Sequence, residues 1–141
     1  MFLSIKEGKM DKYNFFLNPY SDAAFTKCPK CEGKTKVKKL PLTIVMDKNK
    51  AVLNLNKTCK YCPYCELLIA KKSEMEPILK QFLGVKIISE KDYIVVGTLD
   101  KEIYRKRINQ EEMSNNPLFG VIFFKDILEF TMQPAGWYPK K

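Results

Sequence analysis

Cys28-Pro29-Lys30-Cys31 and Cys62-Pro63-Tyr64-Cys65 are two copies of one pattern, and their reading decides the fold. Two cysteines separated by two residues can both reach one ion at about 2.3 Å from a tight turn, while N–H groups of the turn point back at the thiolates. The proline after each first cysteine helps to fix that turn. Two such turns supply the four soft ligands of a closed tetrahedral zinc site. Such a site leaves no position open to water, so the ion is expected to be structural. A positive φ near the end of the turn is relieved by glycine, and Gly33 stands close enough to serve. Cys59-Lys60-Tyr61-Cys62 is an overlapping C-x-x-C, which makes Cys59 an alternative ligand. The pair Cys62 and Cys65 is preferred because it repeats the Cys-Pro-x-Cys chemistry of the first turn. Cys59 is then a packed thiol.

The chain between and after the turns reads as strands. Lys34 to Leu40 alternates, with Lys34, Lys36 and Lys38 on one face, and runs into the β-rich Leu42–Met46. Asp47-Lys48-Asn49-Lys50 is a polar turn, residues 51–57 return, and 66–70 form a short third strand. The stretch Cys28–Ala70 resembles the zinc-ribbon fold group in its knuckle, long hairpin, second knuckle and trailing strand. The resemblance covers about a third of the chain. It implies Cys28, Cys31, Cys62 and Cys65 as the ligands of one Zn²⁺ and says almost nothing about function. The fold class expected is α+β: a Cys₄ zinc ribbon with a three-stranded antiparallel sheet, and a small αβ extension. The expected divisions are an N-terminal arm (1–26), the ribbon (27–72) and the extension packed on it (73–141).

The arm is dense in aromatics (Tyr13, Phe15, Phe16, Tyr20, Phe25), which are expected to pack on the rest. In the extension, Ser73 and Glu76 predict a capped helix that carries Pro77 near its first turn and Gly84 at its end. Its apolar positions are Ile78, Leu79, Phe82 and Leu83. Residues 93–99 read as a strand, Asp100 as the cap of a helix near 101–108, and 110–117 as a polar loop. Of the apolar runs 121–124 and 128–132, one is expected to be helical and the other a strand. Trp137 and Tyr138 lie in a tail that either docks or offers an anchor.

The net charge of +9 is concentrated. Residues 25–72 hold twelve lysines against Glu32, Asp47 and Glu66, while the flanking regions balance. Lys34, Lys36, Lys38, Lys39, Lys57 and Lys60 are candidates for phosphate contacts, and Tyr61 and Tyr64 for stacking on unpaired bases. The leading expectation is therefore non-enzymatic binding of nucleic acid or a nucleoprotein assembly. The alternatives are contact with an acidic protein surface, an adaptor with structural zinc, and lysines that merely solvate a β module. There is no histidine in the chain, which removes Cys₂His₂ sites and every mechanism with a histidine base. Cys62-Pro63-Tyr64-Cys65 also has the active-site tetrapeptide of glutaredoxins, with 67–72 readable as the following helix. The Thr-Val-Pro-like segment and the Gly-Gly of that fold are missing, so a thiol oxidoreductase ranks third. No glycine-rich phosphate loop is present, no small-molecule substrate is expected, and Glu111-Glu112 and Asp126 with Glu129 read as solvated acids. No apolar run approaches the roughly 18–20 residues needed to span a bilayer, and the N-terminus lacks a cleavable leader, so a cytoplasmic protein is expected.

Overall fold

A computed structural model describes residues 13–47, 50–108, 118, 120–133 and 136–139. These residues are mostly strand, with two helices among them. The strands are β1 (Asn14–Asn18), β2 (Lys36–Met46), β3 (Val52–Cys62), β4 (Leu67–Lys71), β5 (Tyr93–Leu99), β6 (Val121–Phe123), β7 (Ile127–Leu128), β8 (Phe130–Gln133) and β9 (Gly136–Pro139). The helices are α1 (Lys72–Leu83) and α2 (Lys101–Ile108). The chain divides into two compact units, and the long strands β2 and β3 each contribute to both. The class is α+β, with mixed strand directions. The expected loop at 110–117 and the pair Glu111-Glu112 lie outside the described residues.

One unit takes in the described parts of 39–57 and 89–124. Its strand order is β6-β5-β2-β3. Residues 40–44 of β2 are all buried, Pro41 and Thr43 as fully as Leu42 and Ile44, so the middle of this strand is covered on both faces and carries no alternation. β2 pairs antiparallel with β5, with a shift of register at Thr43/Ile44. Gly97 of β5 faces Phe123 of β6, and a Cβ there would stand 2.3 Å from the Ile122 carbonyl oxygen. Only glycine allows the two backbones to approach so closely. The Asp100 carboxylate accepts from the N–H groups of Glu102 (2.9 Å) and Ile103 (3.3 Å), the expected cap of α2.

The other unit takes in the described parts of 13–38, 58–88 and 125–141. Its order is β3-β4-β1-β7. β4 runs antiparallel to β3, but β1 is parallel to both β4 and β7. The three-stranded antiparallel sheet expected of a ribbon therefore does not stand by itself: the antiparallel pair of β3 and β4 continues into parallel β1 as part of a mixed sheet. β1 comes from the segment read as an arm. Phe15 and Phe16 are each 1% exposed, so the strand is covered on both faces. Parallel strands of this kind carry no alternation to betray them.

α1 follows β4 without a loop. Its N-cap is Lys71 and no side chain caps it, so Ser73 lies inside the helix instead of capping it. Pro77 consequently stands in the second turn, where it removes a donor to the Ser73 carbonyl. Gly84 ends the helix at φ 70°, as expected. Met75 and Leu79 are the buried positions, whereas Ile78 is 43% and Phe82 71% exposed, so the buried stripe is rotated from the one expected. Residues 121–123 and 127–128 are strands and no helix forms there, because both runs complete sheets. β8 and β9 form a separate antiparallel pair.

Candidate metal centre

The first knuckle sits on a short hairpin. Lys27 and Lys34 bridge antiparallel, Thr35 N–H donates to the Thr26 carbonyl (3.0 Å), and Cys28 N–H donates to the Gly33 carbonyl (2.7 Å). Glu32 N–H closes the turn on the Cys28 carbonyl at 2.8 Å. The second knuckle is the turn between β3 and β4, closed by the pairing of Cys62 with Leu67. Both turns end in a glutamate at positive φ, Glu32 at 64° and Glu66 at 52°. Gly33 does not take that conformation, contrary to expectation. Its job is space: a Cβ at 33 would lie 3.2 Å from Cys31 Sγ and 3.4 Å from the Tyr64 ring.

β1 secures the second knuckle. Asn14 N–H donates to the Glu66 carbonyl at 2.7 Å, and its side-chain amide donates to the Cys65 carbonyl at 3.0 Å. Glu66 is further held by Lys125 at 2.6 Å. Asn14→Ala leaves the Cys65 carbonyl without its donor. A loss of about 1–2 kcal/mol is expected in urea unfolding, typical of a hydrogen bond removed from a partly buried acceptor. An unchanged midpoint would show that this clamp contributes nothing.

The Sγ atoms of Cys28, Cys31, Cys62 and Cys65 all lie within 4.8 Å of one another, and Cys31 and Cys62 are 3.5 Å apart. A tetrahedral zinc with bonds of about 2.3 Å has sulfur–sulfur edges of about 3.8 Å, so the group brackets that geometry. Lys30 N–H and Gly33 N–H point at Cys28 Sγ and Cys31 Sγ, each at 3.4 Å. Burial raises the Cys65 thiol, and the Cys31 thiol beside it adds to the rise. Burial raises Cys28 also, while the Gly33 N–H lowers Cys31. Four sulfurs crowded into a partly buried site cannot all ionise without a cation among them; a bound metal ion would deprotonate them outright. The donor set therefore fits a soft metal, and these four residues could hold one.

Cys59 is not part of the group. It lies three positions before Cys62 on β3, so strand alternation turns it to the opposite face, where it is 3% exposed. The residues after Cys62 form a turn and then β4; the helix that a glutaredoxin-like reading needs there is not formed.

The remaining sequence candidates are scattered. Lys34, Lys36 and Lys39 are exposed and Lys60 is half-buried. Lys38 lies over the rings of Tyr61 (5.1 Å) and Tyr13 (5.7 Å), which meet edge to face. Tyr61 is thereby engaged within its own unit. Tyr64 is 82% exposed, and Lys57 is 8% exposed. The sequence reading missed Lys27 and Lys30, both exposed on the first knuckle, although they share its charge. Among the described residues, no helix is long and apolar enough to cross a membrane. No protein-family model, curated protein or solved structure matches the chain.

Proposed function

We propose that this chain is a zinc-ribbon-like, non-enzymatic protein that binds nucleic acid through a cationic surface held rigid by one structural Zn²⁺. One observation carries the reading. Lys27, Lys30, Lys34 and Lys36 are all exposed on the hairpin of the first knuckle, and none has an ion-pair partner among the described residues. Ammonium groups left unpaired in one short stretch suit phosphates, which they attract without reading bases. Tyr64, against Gly33, offers an exposed ring beside them.

Anisotropy of a labelled single strand tests this over a range of salt. Four phosphate contacts at about 0.7 each give a log–log slope near −3. Replacing all four lysines with glutamine should abolish most of the slope. Absence of binding at low salt, or binding indifferent to salt, would refute the proposal.

A second reading is an adaptor in a larger protein complex. It is favoured by the apolar surface that Ile78, Phe82, Val85 and Ile87 leave exposed on and after α1. Co-purification with a protein, without affinity for either DNA or RNA, would put this reading first. Trp137 is a poorer anchor, since it packs against Phe25 and Tyr20 at 4.8 and 5.0 Å between ring centroids.

A further inference from the structure

Beside the first knuckle lies a cleft of approximately 830 Å³, within the range of ligand sites. Tyr20, Asp22, Phe25, Lys27, Glu32 and Trp137 are among the residues that line it. Tyr20 donates its hydroxyl to the Phe130 carbonyl at 2.8 Å, which fixes its ring. Tyr20 and Phe25 in turn brace Trp137, which is half-buried and lines the cleft. A braced, partly open indole is a stacking platform.

The carboxylates are the unexplained part. Of the three acids in the lysine-rich segment, Glu66 is paired with Lys125 at 2.6 Å and Asp47 with Lys50 at 3.7 Å. Glu32 has no side-chain partner among the described residues, and neither does Asp22. Glu32 also holds φ 64°, a conformation that glycine or asparagine adopts more readily. Glu66 is also at positive φ, 52°, but is secured by Lys125 and Asn14. Glu32 thus keeps a carboxylate without a side-chain partner, in a strained backbone position, on the lining of an aromatic cleft, the kind of outlier from which function is argued.

On a phosphate-binding surface a carboxylate is adverse unless it reads something. Guanine is the one standard base with two adjacent N–H donors on its Watson–Crick edge, matching the two oxygens of one carboxylate. Uracil and thymine offer one donor flanked by carbonyls, which a carboxylate repels. We infer that the cleft takes an unpaired guanine base, stacked on Trp137 with its Watson–Crick edge toward Glu32. This deepens the nucleic-acid reading above and rests on it.

Trp137 is the only tryptophan in the chain, so intrinsic fluorescence reports on the cleft directly. The full chain carrying its metal is titrated with GMP, AMP, CMP, UMP and N-acetylarginine amide. The expected result is saturable quenching by GMP, with UMP at least tenfold weaker. Glu32→Gln should weaken GMP at least tenfold and bring its preference over UMP below threefold. Glu32→Gly relieves the backbone, so it should lose the same preference without a fall in thermal midpoint. Equal quenching by all four nucleotides, no quenching, or quenching by the arginine amide alone overturns the inference. A second arm compares an oligouridylate with the same strand carrying one guanosine. If both bind with the same affinity and salt slope, the cleft inference fails and the proposed function stands. If neither binds, the proposed function fails, and the mononucleotide titration alone decides the cleft.

Discussion

Removal of the metal by a chelator should unfold the unit that holds Cys28, Cys31, Cys62 and Cys65. Structural zinc sites contribute roughly 10–16 kcal/mol of apparent binding energy, which matches or exceeds the whole stability of a typical domain, about 5–15 kcal/mol. The coupling to packing is direct. Cys28 and Cys62 are 1% and 0% exposed, in the same cluster as Phe16, Phe25 and Phe130. Thiols that have lost their ion leave that cluster with sulfurs crowded together and only partly ionised. Elemental analysis should find one zinc per chain, and chelation should abolish the near-UV dichroism together with the native emission of Trp137. Cys62→Ser should have the same effect, whereas Cys59→Ser, outside the group, should cost no more than about 2 kcal/mol. Loss of the metal with an intact near-UV spectrum would defeat the idea of a structural ion.

Phe16→Ala should be the most damaging single truncation in that unit, at about 3–5 kcal/mol. Phe16 is 1% exposed and meets Phe25 and Phe130 edge to face, at 5.4 and 5.0 Å between centroids. Its removal opens a cavity between the segment before the first knuckle and β8, so two neighbours lose their packing at once. Phe82→Ala makes a useful control. That ring is 71% exposed on α1, and its loss should stay within about 0.5 kcal/mol. Equal urea midpoints for the two variants would show that the cluster is not the centre of this unit.

The sequence exposed chemistry better than topology. Four cysteines at knuckle spacing are legible because metal ligation needs particular atoms at particular separations, and the structure brings those four together. The hairpin of β2 and β3, the Asp100 cap and the Gly84 stop were legible because each is a local signal. β1 was not. Asn14-Phe15-Phe16-Leu17-Asn18 is short, and buried on both faces it has no period to read. What makes it a strand lies far along the chain, in β4 and β7. The start of α1 was misplaced for a related reason. Ser73 and Glu76 form a good local cap, but β4 runs directly into the helix and fixes its first turn two residues earlier. The glutamates at positive φ contradict the local preference for glycine, and nothing in the sequence marks them as exceptions. Lys38 was legible as a charge, but not as a cation resting on two tyrosine rings.

The parallel seat of β1 imposes an order on biosynthesis. Phe15 pairs with Ile127, so β1 leaves the ribosome before about 110 further residues have been added. At roughly 5–20 residues per second the wait is about 5–20 s. The other neighbour of β1 arrives sooner, because Phe15 pairs with Leu68 of β4, so only the β7 side of β1 waits through that whole interval. The knuckle cysteines, by contrast, are all present once Cys65 has emerged. Capture of a metal ion by these thiols would therefore precede the completion of the sheet, with the addition of β7 to the edge of β1 as the late event. A nascent chain stalled before residue 127 would leave the edge of β1 that later pairs with β7 open, and an open strand edge is a template for pairing with another chain.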